Sequence, residues 1–129
     1  MRSLAREAVF QYLFSRLFNQ SDEGLFDVLT KDFNGDDKKF ALCLLDAVEN
    51  NPENYENELK NLSKNFKFDR IFAADKCAIL LGMAEFDAFP DTPKAVVIDE
   101  AVKLSAKFST EKSTDFVNGI LSEYSKNRG

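Results

Sequence analysis

Histidine and tryptophan are missing from this 129-residue chain, and cysteine (two), methionine (two), proline (three) and glycine (five) are scarce. Each shortage excludes something. Without histidine, no Ser/His or Cys/His nucleophile pair exists. Without histidine or a CxxC pair, the usual donor sets of a zinc site are missing and none is expected. Cys43 and Cys77 each sit inside an apolar helical run, which reads as two buried, reduced thiols. Few glycines and prolines suit helices better than many short strands joined by turns. Glycine-rich phosphate loops are absent, since Gly82 and Gly119 stand alone within helical stretches. Neighbouring Asp99 and Glu100 point about 100° apart on a helix and do not easily share a substrate. Binding is therefore the expected role, not catalysis, and neither a cofactor nor a metal is expected.

Long apolar runs are missing too. The most apolar window, Cys77 to Ala84, is eight residues long and bounded by Lys76 and Glu85; a membrane-spanning helix needs about 20. Arginines at positions 2, 6 and 16 open the chain with no signal-peptide cleavage pattern, so a cytoplasmic protein is expected.

The net charge of −5 is unevenly placed. Residues 1–20 carry three Arg against one Glu, residues 21–58 eleven acids against three Lys, residues 59–76 five bases against two acids, and residues 77–129 six bases against eight acids. Acidity is concentrated in one third of the chain. Because binding follows the local field of a patch, an acidic total leaves room for a cationic face.

What the chain does have is helical periodicity from end to end. The first helix is expected over about residues 3–19, with Phe10, Leu13, Phe14 and Leu17 on one stripe. Ser21 or Asp22 caps a second helix carrying Leu25, Phe26 and Leu29, which ends near Phe33. After the Asn34-Gly35-Asp36 turn signal, Ala41, Leu44, Leu45 and Val48 mark the third. Asn51-Pro52 starts the fourth, with Tyr55, Leu59, Leu62 and Phe66 facing inward. Asp69 caps a fifth that is apolar on nearly every side, as a central helix is. Pro90 and Pro93 break it. Thr92 caps the sixth, with Val97, Ile98, Ala101, Leu104 and Phe108 inward. The seventh starts near Ser113 and buries Phe116, Ile120 and Tyr124. The fold class is all-α: one domain over residues 1–129, a bundle of about seven helices.

Two places admit a binding role. Arg2, Arg6 and Arg16 fall within about 80° on a helical wheel, along one edge of the first helix. They suit phosphate contacts with Phe14 stacking on a base, or they are solvated side chains beside a core phenylalanine. Ser113 and Thr114 open the seventh helix, where free N–H groups favour an anion or an ordinary cap. Gly119 reads as a packing position, and Asn118 as a buried hydrogen-bonding side chain.

Three stretches carry a family resemblance. Ala5-Arg6-Glu7-Ala8 is followed by Gln11, Leu13 and Ser15. Lys76-Cys77-Ala78-Ile79-Leu80 leads through Glu85-Phe86 to Asp91-Thr92-Pro93. Ile98-Asp99-Glu100-Ala101, Lys107-Phe108, Glu111-Lys112-Ser113 and Phe116-Val117-Asn118-Gly119 form the most specific block. In this order and spacing the chain resembles the bacterial transcription antitermination factor NusB family. The resemblance implies an all-helical RNA-binding fold. It also implies recognition of the boxA element of ribosomal RNA leaders together with NusE, a small-subunit ribosomal protein, and loading of antitermination machinery on RNA polymerase. Carried over by position, it implies RNA contacts at Arg2, Arg6, Phe14, Lys112, Asp115 and Phe116, and a partner-facing surface around Glu85. Phe14 stands where a tyrosine is usual, and Ser3 and Leu4 where more basic residues are common. A homodimer is allowed, since some relatives pair through the RNA-binding face. The alternatives are the NusB-like domain of a ribosomal RNA cytosine methyltransferase, although the chain stops at Gly129 with no methyltransferase domain, and a helical protein-binding adaptor without RNA.

Overall fold

The computed structural model describes residues 2–18, 24–64 and 71–126. They form seven helices: α1 (Arg2–Phe18), α2 (Leu25–Thr30), α3 (Gly35–Asn50), α4 (Pro52–Ser63), α5 (Ala73–Ala88), α6 (Lys94–Phe108) and α7 (Ser113–Lys126). The expected caps Ser21, Asp22 and Asp69, and the expected core residue Phe66, lie outside the described residues.

Local chemistry sets several boundaries. The Asn34 side chain accepts a 2.8 Å hydrogen bond from the Asp37 N–H, capping α3. Pro52 opens α4, where its missing N–H has no partner to lose. At α6 the structure corrects the expectation. Pro93 itself occupies the cap position in an extended conformation and the helix begins at Lys94, so Thr92 is not the cap.

Helix α5 runs through the centre, packing against α1, α3, α4, α6 and α7. Cys77, Ala78, Ile79, Leu81, Met83 and Ala84 are all buried on it. The same cluster takes in Val9 and Phe10 from α1, Leu44 from α3, Tyr55 from α4, and Val117, Ile120 and Leu121 from α7. The close helix approach occurs at Gly82, where a Cβ would lie only 2.8 Å from Leu121 Cδ1. Glycine there lets α5 and α7 meet closely.

Polar groups pin this core. Ser105 Oγ donates to Asp75 Oδ1 at 2.8 Å, and both residues are buried. Asp75 lies in the first turn of α5, where the helix dipole favours a carboxylate. Asp87 Oδ2 accepts from the hydroxyls of Tyr55 (3.0 Å) and Tyr124 (2.9 Å), tying α4 and α7 to α5. Lys94 Nζ donates to the Ser125 carbonyl at 2.9 Å.

Two smaller expectations need correction. Cys43 is exposed and only Cys77 is buried, because Cys43 lies off the Phe40–Leu44–Val48 stripe of α3. Asn118 is exposed, and its Oδ1 accepts from Ser122 Oγ one turn later at 3.0 Å, so it solvates α7 rather than anchoring it. Among the described residues, no helix is long and apolar enough to cross a membrane.

Candidate nucleic-acid interface

Helix α1 lies against α3 on one flank and α6 on the other. Its seam with α6 is laced along its length. Ser3 Oγ donates to Glu100 Oε1 at 2.8 Å, Lys107 Nζ donates to Glu7 Oε1 at 2.7 Å, and the Phe10 and Phe108 rings stack with centroids 4.9 Å apart. On the other flank Arg16 is ion-paired with Glu49 of α3, which raises its pKa further and keeps it protonated.

Of the three arginines expected on one edge, the structure gives each a different environment. Arg2 is exposed, and no ion pair holds it among the described residues. Its guanidinium stacks 4.6 Å from the Phe40 ring centroid and 5.8 Å from that of Phe89, which fixes the group while leaving its in-plane donors available. Arg6 is only 4% exposed. Its Nε and Nη2 donate to the two carboxylate oxygens of Glu85 at 2.7 and 2.6 Å, and Nη1 lies 3.8 Å from Glu100. A guanidinium so engaged is a strut between α1, α5 and α6, with two of its donors committed to Glu85. Arg16 is exposed, with Glu49 as its partner.

The same pairing corrects the expectation at Glu85. It is 1% exposed, so it acts beneath the surface on Arg6 and does not face a partner. Ala84 beside it is buried as well.

Phe14 is half-buried and nearly parallel to Phe10, centroids 6.1 Å apart. With Phe72, Ala73, Ala74, Phe108, Ser109 and Thr110 it lines an apolar surface cleft of about 240 Å³. Phe72 is 54% exposed. An aromatic at the surface offers a π-face on which an unpaired base stacks. Sequence reasoning missed Phe72 because it lies near the start of an almost continuous apolar run, Ile71 to Met83, most of whose later residues are core.

From this cleft the chain passes through Thr110 to the start of α7. The hydroxyls there are already engaged: Ser113 Oγ lies 3.0 Å from Thr110 Oγ1, and Thr114 Oγ1 donates to the Glu111 carbonyl at 2.7 Å. They shape the turn. Lys112 and Asp115 are exposed at this end. Phe116 is 3% exposed and belongs to the core beside Ile120, as its spacing implied; it does not present a stacking surface. The structure therefore brings together Phe14, Phe72 and Phe108, with Lys112 a short step away and Arg2 at the far end of α1. Twelve residues at 1.5 Å each separate Arg2 from Phe14, roughly 18 Å, comparable to about five stacked nucleotides at 3.4 Å.

Seven packed helices with an aromatic cleft and unpaired cations at the surface define a helical binding protein. The NusB family model matches residues 2–126. A transcription antitermination protein NusB of Methylacidiphilum infernorum is 35% identical over 99% of this chain and 92% of its own length. One from Natranaerobius thermophilus is 33% identical over 95% and 92%. Among solved structures, NusB of T. maritima superposes with a TM-score of 0.88 at 26% identity, covering 98% of this chain and 91% of its own. A complex of antitermination factors NusB and NusE with double-stranded RNA contains a chain with a TM-score of 0.82 at 27% identity, covering 98% and 96%. The chain belongs to the NusB family.

Proposed function

We propose that this chain is a transcription antitermination factor of the cytoplasm that binds boxA-type ribosomal RNA leader sequences jointly with NusE and helps load the antitermination complex on RNA polymerase. The domain is a single unit over residues 1–129, and its work is binding rather than catalysis. The observation that carries the reading is the pairing of an aromatic cleft, Phe14–Phe72–Phe108, with unpaired cations at Arg2 and Lys112. A solved relative is a NusB–NusE complex with double-stranded RNA. An aromatic cleft needs unstacked bases, which favours single-stranded RNA for this chain.

The roles divide by exposure. Arg2 and Lys112 contact phosphates, Phe14 and Phe72 stack, and Asp115 at the edge accepts from a base amino group. Arg6 and Glu85 hold α1 in place, and Phe116 supports α7 from within. Few cations are available on this face, so the chain alone neutralises few phosphates. A basic ribosomal protein supplies the missing charge. The acidic surface around α2 and at the start of α4, with Asp27, Asp32 and Glu53 exposed, complements such a partner and speeds its association.

The test titrates labelled single-stranded boxA-type RNA with the chain, with NusE and with their mixture. The mixture should bind more tightly than either protein alone. A mixture binding no better than the sum of its parts, with no complex on gel filtration, would leave a helical adaptor without RNA as the better reading.

A further inference from the structure

Beyond the α1–α6 seam, on the α3 flank of α1, lies a second cleft of about 460 Å³ lined by Arg2, Asp36, Lys39, Phe40, Cys43 and Phe89. Four of these residues, Asp36, Lys39, Phe40 and Cys43, recur at helical spacing on one face of α3. Phe89, just past the end of α5, packs its ring 4.7 Å from that of Phe40. The Arg2 guanidinium lies over both rings.

We infer that this cleft is a nucleotide subsite that extends the RNA path from α1 onto α3, with a backbone phosphate held between Arg2 and Lys39 and a base against Phe89. The inference rests on the RNA-binding reading above. Arg2 and Lys39 are exposed cations without an ion pair among the described residues, so no carboxylate must be displaced before a phosphate binds them. Stacking on Phe40 holds the Arg2 fork in one plane, and a pre-set fork loses less freedom on binding a phosphate. Asp36 lies one turn nearer the start of α3. It repels a phosphate from that end and accepts a hydrogen bond from a base amino group. The cleft thus has a cationic end for the backbone and an acidic end for a base edge, with a ring between them. It also begins at Arg2, where the α1 face leaves off.

Cys43 makes the cleft observable. It is the exposed thiol, whereas Cys77 is buried and burial pushes its pKa up to about 12. Alkylation of the native protein by iodoacetamide therefore reports on Cys43. The experiment uses the chain with saturating NusE, with and without a boxA-type single-stranded oligoribonucleotide, and measures both the Cys43 alkylation rate and the salt dependence of RNA affinity. RNA should slow alkylation several-fold. Lys39→Ala should lower the slope of log affinity against log salt by about 0.7, so that roughly 2.5-fold less affinity is lost between 50 and 200 mM salt. RNA that binds while Cys43 reacts at its free rate overturns the subsite. So does protection of Cys43 with an unchanged slope in Lys39→Ala, because no phosphate then lies at Lys39. Either result leaves the function standing if Arg2→Ala and Lys112→Ala still lower the slope. Absence of RNA binding by the unsubstituted complex overturns the function itself.

Discussion

Arg6 and Glu85 meet beneath the surface in a two-pronged pair, Nε to Oε1 at 2.7 Å and Nη2 to Oε2 at 2.6 Å, joining residues 79 positions apart. Breaking one side of such a pair leaves a charge buried without its counter-ion, which costs about 3–5 kcal/mol. Glu85→Gln should lower the free energy of chemical denaturation by an amount of that order; Arg6→Lys keeps the charge and should cost less, about 1.5–3 kcal/mol, because an ammonium cannot reproduce the two parallel bonds. The pair replaced together by Met and Leu should lie closer to the original stability than either single variant. Single variants within 1 kcal/mol of the parent would show that the pair is not a strut.

The salt slope separates the arginines. Arg2→Ala and Lys112→Ala should each lower the slope of log RNA affinity against log salt by about 0.7. Arg6 is engaged with carboxylates, so the paired replacement of Arg6 by Met and Glu85 by Leu, which removes the cation, should weaken affinity while keeping the slope. A slope that falls in an Arg6 variant as it does in Arg2→Ala would return Arg6 to direct phosphate contact.

Stacking at the α1–α6 seam is open to direct measurement. Phe72→Ala removes a ring that is more than half exposed and should leave stability nearly unchanged. It should weaken RNA binding by about 1–3 kcal/mol if a base stacks there. Phe116→Ala should do the reverse, costing about 3–5 kcal/mol of stability as a core truncation. Fluorescence anisotropy and denaturation on the two variants read both quantities.

Leu81 is 2% exposed on the central helix. Leu81→Ala should cost about 2–5 kcal/mol, with the size set by how far α5 and its neighbours relax into the space. A change near zero in denaturant unfolding would contradict a packed α5.

The Cys77 thiol gives a pH prediction. Burial raises its folded-state pKa from the ordinary value of 9.0 to about 12, against a smaller opposing effect of the Lys76 charge. The folded form holds its proton where the unfolded form has lost it. This contribution to stability is complete below about pH 9 and is lost as pH rises from there through about 12. Cys77→Ala should show a flatter decline over that alkaline window, measured by denaturation at stepped pH.

The helices were legible because apolar spacing is written locally: the Tyr55–Leu59 and Phe116–Ile120–Tyr124 stripes lie inward as their periods imply. The central place of α5 was legible from an apolar surface that covers nearly every side. Partnership was not. A helical wheel puts Arg2, Arg6 and Arg16 on one edge, but nothing in α1 says that Glu85 and Glu100 are waiting under Arg6, or Glu49 beside Arg16. Nor does the spacing of either helix pair Asp75 of α5 with Ser105 of α6, two buried polar residues that only packing brings together. Phe72 shows the converse error, since membership of an apolar run does not fix which ring at its edge stays outside. Phe116 was legible as core from its own spacing, and only the family pattern drew it toward the surface.

The strut under α1 also sets an order of events during synthesis. Arg6 leaves the ribosome with the first helix, while Glu85 and Glu100 follow only when α5 and α6 are made. In the interval the Arg6 guanidinium stays in water and the apolar face of α1, with Val9 and Phe10, has no core to enter. Contacts this distant along the chain form late in folding. The surface carrying Arg2 and Phe14 is therefore assembled only after most of the sequence has emerged, and a nascent chain stalled within α4 has the first helix but not the face.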